Sequence, residues 1–231
     1  MAVEVDVCGG MLAGLESLDI LNQLFKQILE GKLHTDTAKF EGNSHVLDLG
    51  CGSGLWVISM ALELDIPQSV TFTTADTEMN WTDEILQYAP YDLINCRLMK
   101  GSVRSWSALY GKIASCLKPG TGVFEEFEID WQFRRMDGTI PEALKEWSDL
   151  LHQAMEKHGR SIRCDPEETR SMLLKHGFDN IQERAVILPI NDWQSNANDK
   201  TIGRWFNIAL TNSILPMSFS PLVRAGTRSM K

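Results

Sequence analysis

At 231 residues and 26.0 kDa the chain has the length of one domain, and its 43% hydrophobic content excludes a disordered polymer. Its 31 acidic against 22 basic residues leave a net charge of −9, which disfavours non-specific contact with nucleic-acid backbones or anionic bilayers. The five cysteines form no C-x-x-C pair, the pattern of free thiols in a reducing compartment.

The chain opens Met1-Ala2-Val3-Glu4-Val5-Asp6, with acids where a signal peptide would be basic. No apolar run reaches the ~18 residues of a membrane span, so an intracellular protein, in cytoplasm or nucleus, is expected. Leu21, Leu24, Phe25, Ile28 and Leu29 recur at helical spacing, and Gly31 stops that helix. A polar stretch, 32–43, leads to a short apolar strand over 45–49. The glycine-rich turn Gly50-Cys51-Gly52-Ser53-Gly54 then opens a helix over 55–64. Strands are predicted at 70–74, 91–95 and 123–129, with a long helix on Val103, Trp106, Leu109, Ile113 and Leu117 before the last.

The second half is more helical. Leu144, Trp147, Leu151, Ala154 and Met155 share one face, and Asp165-Pro166-Glu167-Glu168 starts another helix that Gly177 ends. Ile181 to Ile190 is a further strand candidate. Ile202, Trp205, Phe206 and Ala209 mark a last helix, which Pro216 and Pro221 are expected to terminate, with a loose tail from Arg224. The order is that of an α/β fold in a single domain: a helical segment at 1–43, a cofactor-binding half at 44–130 and a mainly helical substrate side at 131–231.

The glycine turn carries the chemistry. Alternate glycines admit backbone shapes closed to other residues and let a ligand approach main-chain N–H groups at a helix start. A dinucleotide fingerprint would want glycine at the position of Leu55, so the spacing suits a nucleoside-bearing ligand without a pyrophosphate, such as S-adenosylmethionine. Asp48 precedes the turn and is expected to orient it and to approach the ligand's amino group; a local cap is the plainer alternative. Asp76 and Thr77 follow the 70–74 strand, at the carboxyl-end crevice where an adenine would meet an acceptor. Asn95, Cys96 and Arg97 are expected to follow the next strand and face the same crevice.

On a predicted strand Glu126, Glu128 and Asp130 share one face and Glu125 takes the other, but no second acidic element completes a metal site, so no metal is expected. No side chain is singled out as catalytic, although His152 or His158 could take a proton. Methyl transfer from a sulfonium asks mainly for alignment.

These segments together resemble the class I S-adenosylmethionine-dependent methyltransferases of the fungal LaeA-like type. The resemblance rests on Val46 to Trp56, Ala75 to Trp81, Tyr91 to Arg97, Gly101 to Trp106, Leu117 to Glu125, Glu128 to Trp131, Asp137 to Pro141 and Ile202 to Asn207. It implies a Rossmann-like fold, with S-adenosylmethionine held by Asp48, Gly50, Cys51, Gly52, Gly54, Asp76, Thr77, Asn95, Cys96 and Arg97. It also implies one of two functions. One is methylation of a small metabolite in fungal secondary metabolism. The other is a non-catalytic regulatory role with a velvet-type protein partner, for which Trp147, Trp193 and Trp205 are candidate anchors. A second copy of the chain is a further candidate partner; nucleic acid is not, because the net charge is wrong and no N-P-P-Y tetrad is present.

Two departures stand out. The family places a strand ending in an acid, which holds the ribose hydroxyls, between the glycine turn and the Asp76 motif. The interval here is too short for it, and Glu63 and Asp65 fall on the preceding helix. The chain also ends before the family's final antiparallel strand. An incomplete sheet, short of seven strands, is therefore expected.

Overall fold

The computed structural model describes residues 2–6, 15–65, 70–135 and 138–224. Five strands form one wholly parallel sheet in the order β3-β1-β2-β4-β5. They are β1 (Ala2–Asp6), β2 (Val46–Leu49), β3 (Val70–Thr74), β4 (Leu93–Arg97) and β5 (Val123–Phe127). β2 is buried throughout, as a strand covered on both faces must be. The α/β expectation holds, and the sheet is short of seven strands among the described residues.

The short interval after the glycine turn has an unexpected solution. β1 inserts between β2 and β3, pairing Val3 with Leu47 on one side and with Thr71 on the other. The second strand of the family pattern is therefore supplied from the other end of the sequence. Local periodicity could not announce this, because five residues pair only with partners far along the chain.

The helices are α1 (Leu15–Ile28), α2 (Leu55–Glu63), α3 (Asp83–Leu86), α4 (Trp106–Cys116), α5 (Glu142–Lys157), α6 (Pro166–Lys175) and α7 (Ala197–Arg224). α6 starts as read: Asp165 accepts from the Glu168 N–H, and Pro166 takes the first turn. α4 packs Trp106, Leu109, Tyr110 and Ile113 against the sheet with Leu47, Leu49, Ile94 and Cys96. A second core joins α1, α5 and α7 through Leu24, Phe25, Leu151, Met155, Phe206 and Leu210.

Four expectations need correction. The 91–95 strand runs instead from Leu93 to Arg97, so Asn95, Cys96 and Arg97 lie within the ladder rather than after it. The last strand ends at Phe127, short of residue 129. Residues 181–190 form no strand: the Ile181 and Ile190 carbonyls accept from the side chains of Arg170 and Asn207, and Ile187 is 76% exposed. Finally, α7 runs through Pro216 and Pro221. An interior proline costs ~3 kcal/mol, but Met217 and Leu222 are buried beyond Pro216, and α7 packs on α1 and α5. Burial outweighs propensity here. The tail from 225 lies outside the described residues.

Candidate functional site

Three glycines with left-handed backbone carry β2 into α2: φ is 71° at Gly50, 59° at Gly52 and 76° at Gly54. Such angles are strained for any residue with a Cβ. The space above the turn is equally restrictive. A Cβ on Gly50 would collide with Met99 Sδ, and one on Gly52 would lie 2.7 Å from Leu18 Cδ1. α1 thus lies across the turn, tied to it by Ser53 Oγ, which donates to Asp19 Oδ1 at 2.5 Å. Cys51 is half-buried beside it, and its thiol turns back to the Gly52 carbonyl.

A side chain added at Gly52 meets Leu18 first, so the expected result of a valine there is loss of α1 docking. Gly52→Val should lower the urea-unfolding free energy by about 3 kcal/mol or more, from strain and overpacking combined. An unchanged midpoint would show that the turn tolerates a branched side chain.

Asp48 is 3% exposed and sits in the ladder opposite Asn95. Asn95 Nδ2 donates to Asp48 Oδ1 at 2.6 Å, and Arg97 Nε donates to Asn95 Oδ1 at 3.3 Å. Arg97 Nη2 donates to the Leu33 carbonyl at 2.6 Å, and its guanidinium lies 4.7 Å from the Phe127 ring centre. Burial pushes the Asp48 carboxyl up to about 7, against the opposing pull of Asn95 and Arg97. Burial also brings Arg97 down to about 10. Glu125 completes the row on β5, accepting from the Thr35 N–H at 2.9 Å. The polar stretch at 32–43 therefore closes over this face of the sheet rather than standing in solvent.

The structure thus gathers Gly50, Cys51, Gly52 and Gly54 into one turn and links Asp48, Asn95 and Arg97 on one face of the sheet. Cys96 points to the opposite face, fully buried, its thiol pushed up by burial. Asp76 lies just past β3, exposed, with Oδ1 accepting from the Glu78 N–H at 2.8 Å. Thr77 is 1% exposed, and its hydroxyl has no hydrogen-bond partner among the described residues. Lys112 Nζ holds this loop by donating to the Thr77, Glu78 and Met79 carbonyls.

Sequence reasoning missed two sets of residues. Asp6 ends β1 one residue past the Val5–Leu49 pair and opposite Thr74, at the carboxyl edge beside the glycine turn. The alternation Val3-Glu4-Val5-Asp6 was its only signal. Leu98, Met99 and Lys100, not Asn95 to Arg97, are the residues that follow β4 at the carboxyl end of the sheet. Among the described residues no group of three or more His, Cys, Asp or Glu is placed to hold a metal ion, and no helix is long and apolar enough to cross a membrane.

A family model described as a methyltransferase domain matches residues 19–183, and the chain belongs to that family. Its fold is that of a class I S-adenosylmethionine methyltransferase, related to the fungal LaeA-type regulators of secondary metabolism. It is 61% identical over 227 residues to the secondary metabolism regulator LAE1 of Pyricularia oryzae, covering 90% of this chain and 69% of that protein. With LAE1 of Cochliobolus heterostrophus the identity is 37% over 230 residues, covering 90% and 74%. With laeA of Aspergillus fumigatus it is 33% over 229 residues, covering 90% and 60%.

Proposed function

We propose that this chain is a secondary-metabolism regulator of the LaeA kind that binds S-adenosylmethionine at the carboxyl edge of its sheet. The observation that carries the regulatory reading is the 61% identity to a protein named for that role, spread over nine-tenths of this chain. The cofactor reading is supported by the left-handed glycine turn and by β1. Gly50, Gly52 and Gly54 would let main-chain N–H groups reach the ligand, and the carboxyl end of β1 lies beside them. The unpartnered Thr77 hydroxyl and Asp76 would meet the adenine side. Asp48 would act indirectly, holding β2 against β4 below the turn. The cofactor, when bound, supplies a methyl group on a cationic sulfur.

A protein partner of velvet type belongs to the same proposal, as do self-association and action in the nucleus or cytoplasm. Trp193 is the best-placed anchor at 63% exposure; Trp147 and Trp205 are half-buried and pack on the second core. The second reading, methylation of one small metabolite, draws support from the same turn.

Calorimetric titration with S-adenosylmethionine tests the cofactor half. The parent should bind with a measurable dissociation constant. No binding up to about 1 mM by the folded parent would remove the cofactor from the proposal. Deletion of the gene in its host separates the two functions. Many secondary metabolites should fall together; loss of a single product with accumulation of its unmethylated precursor would favour the tailoring enzyme.

A further inference from the structure

The loop that follows β3, residues 75–81, carries Asp76 and the buried Thr77 hydroxyl that has no partner among the described residues. Its course is fixed largely by groups outside it. Lys112 on α4 draws the Thr77, Glu78 and Met79 carbonyls to one ammonium, at 2.9, 2.8 and 2.6 Å. Trp81 closes the loop, buried in the first core. The Glu78 side chain leaves the loop altogether. Its Oε1 accepts from the Arg104 N–H at 2.6 Å, and its Oε2 accepts from Arg160 Nη2 at 3.4 Å.

Arg160 differs from the other grips in its origin. Lys112 and Arg104 belong to α4 and its approach, whereas Arg160 lies in the connection between α5 and α6, in the helical second half. That connection is itself firmly seated. The Arg160 N–H donates to the Met155 carbonyl at 3.0 Å, which ties it to the end of α5. The Ser161 carbonyl accepts from the Gly101 N–H at 3.1 Å, and Ile162 is buried. A Cβ on Gly101 would lie 2.9 Å from Met155 Cε and 3.0 Å from Ile162 Cγ2, so the contact is close. Residues 160–162 therefore reach two loops at the carboxyl edge of the sheet: the one after β3 through Glu78 and the one after β4 through Gly101.

We propose that Glu78 and Arg160 are positioning residues: their pair holds the Asp76–Thr77 loop in its cofactor-receiving place and ties that place to the second half of the chain. The inference rests on the cofactor reading above and gives neither residue a contact with the ligand. The loop needs such a hold. Among the described residues β3 pairs only with β1, so the loop takes no place from a strand deep in the sheet. Lys112 gathers three carbonyls, but an ammonium on a flexible stem fixes their distance better than their direction. A carboxylate gripped from two sides, by an N–H and by a guanidinium, removes the remaining swing. The hold passes directly to Asp76, because the Glu78 N–H donates to Asp76 Oδ1 at 2.8 Å and the Met79 N–H to the Asp76 carbonyl at 3.0 Å. The Arg160 and Glu78 side chains are 25% and 26% exposed, so losing the pair should change affinity several-fold and leave the fold intact. By linkage, a ligand that prefers the held loop also strengthens the pair.

The test uses the full chain, read by hydrogen exchange of single amides and by calorimetric titration with S-adenosylmethionine. Glu78→Gln keeps an oxygen for the Arg104 N–H, and Arg160→Lys keeps the cation. Without ligand, Glu78→Gln and Arg160→Ala should each speed exchange of the Glu78 and Met79 amides at least about threefold, with the urea midpoint unchanged. Each should weaken S-adenosylmethionine binding by a similar factor, and the double variant should bind no more weakly than the weaker single. Arg160→Lys should bind within about twofold of the parent. In the parent, S-adenosylmethionine should slow exchange at the Arg160 amide, and in Glu78→Gln that slowing should vanish. Parent-like affinity in both single variants, or losses that add in the double, overturns the proposal. A folded parent that binds no S-adenosylmethionine, while both variants still speed the loop's exchange, fails the cofactor reading instead and leaves the pair as a fixture of the loop alone.

Discussion

Val3→Pro should lower the unfolding free energy by about 3 kcal/mol or more and free β3 from the sheet. Proline has no N–H to donate, and its ring is tolerated in sheets only at edges. β1 is not an edge: Val3 pairs with Leu47 on β2 and Thr71 on β3. Among the described residues β3 has no other neighbour in the sheet, so weakening β1 removes its strand pairing there. Hydrogen exchange should therefore show the amides of 70–74 losing protection, while those of β4 and β5 keep theirs. Under the proposed cofactor reading, S-adenosylmethionine affinity should fall with it, because β1 forms part of the carboxyl edge beside the glycine turn. Val3→Ala, which keeps the N–H, serves as the control and should change both readouts little. If Val3→Pro unfolds at the parent's urea midpoint, β1 does not hold the centre of the sheet.

Asp48→Asn should make the protein more stable above neutral pH, by up to about 4 kcal/mol. The Asp48 carboxyl rises from 3.8 to about 7 on folding, chiefly through burial. Between those values the folded state holds a proton that the unfolded state has released. Stability therefore falls as pH rises through that window, at ~1.4 kcal/mol per pH unit, and levels off above it. Asparagine cannot ionise, and its Oδ1 can still accept from Asn95 Nδ2, so the variant escapes this loss. Other buried carboxyls such as Glu126 and Glu128 titrate in both proteins, so the difference between the two urea-stability curves isolates Asp48. That difference should be small near pH 4 and grow to a plateau above pH 7. A variant less stable than the parent at pH 8 would mean that the charged carboxylate is an asset to the fold.

The features legible in the sequence are those set by neighbours in the chain. The turn at Gly50-Cys51-Gly52-Ser53-Gly54 was readable because left-handed backbone angles select glycine residue by residue. The start of α6 was readable because Asp165 and Pro166 satisfy a helix end within a few residues. The strand at 70–74 was readable from its β-branched run. The resemblance carried the same kind of information, since its motifs are local strings.

What only the tertiary structure decided depends on partners distant in sequence. Ala2–Asp6 becomes a central strand because β2 and β3 leave a slot of its length between them, and no local pattern encodes that slot. Residues 181–190 carry strand-like composition yet form none, because a strand needs a neighbour and this segment is held at its two ends by side chains, Arg170 on the Ile181 carbonyl and Asn207 on the Ile190 carbonyl. α7 continues past two prolines because buried contacts with α1 and α5 outweigh the lost backbone bonds. The site follows the same division. Its glycines were visible, but the pairing of Asp48 with Asn95, the place of Asp6 and the reach of Arg160 to Glu78 arise only when segments far apart in the chain are laid side by side.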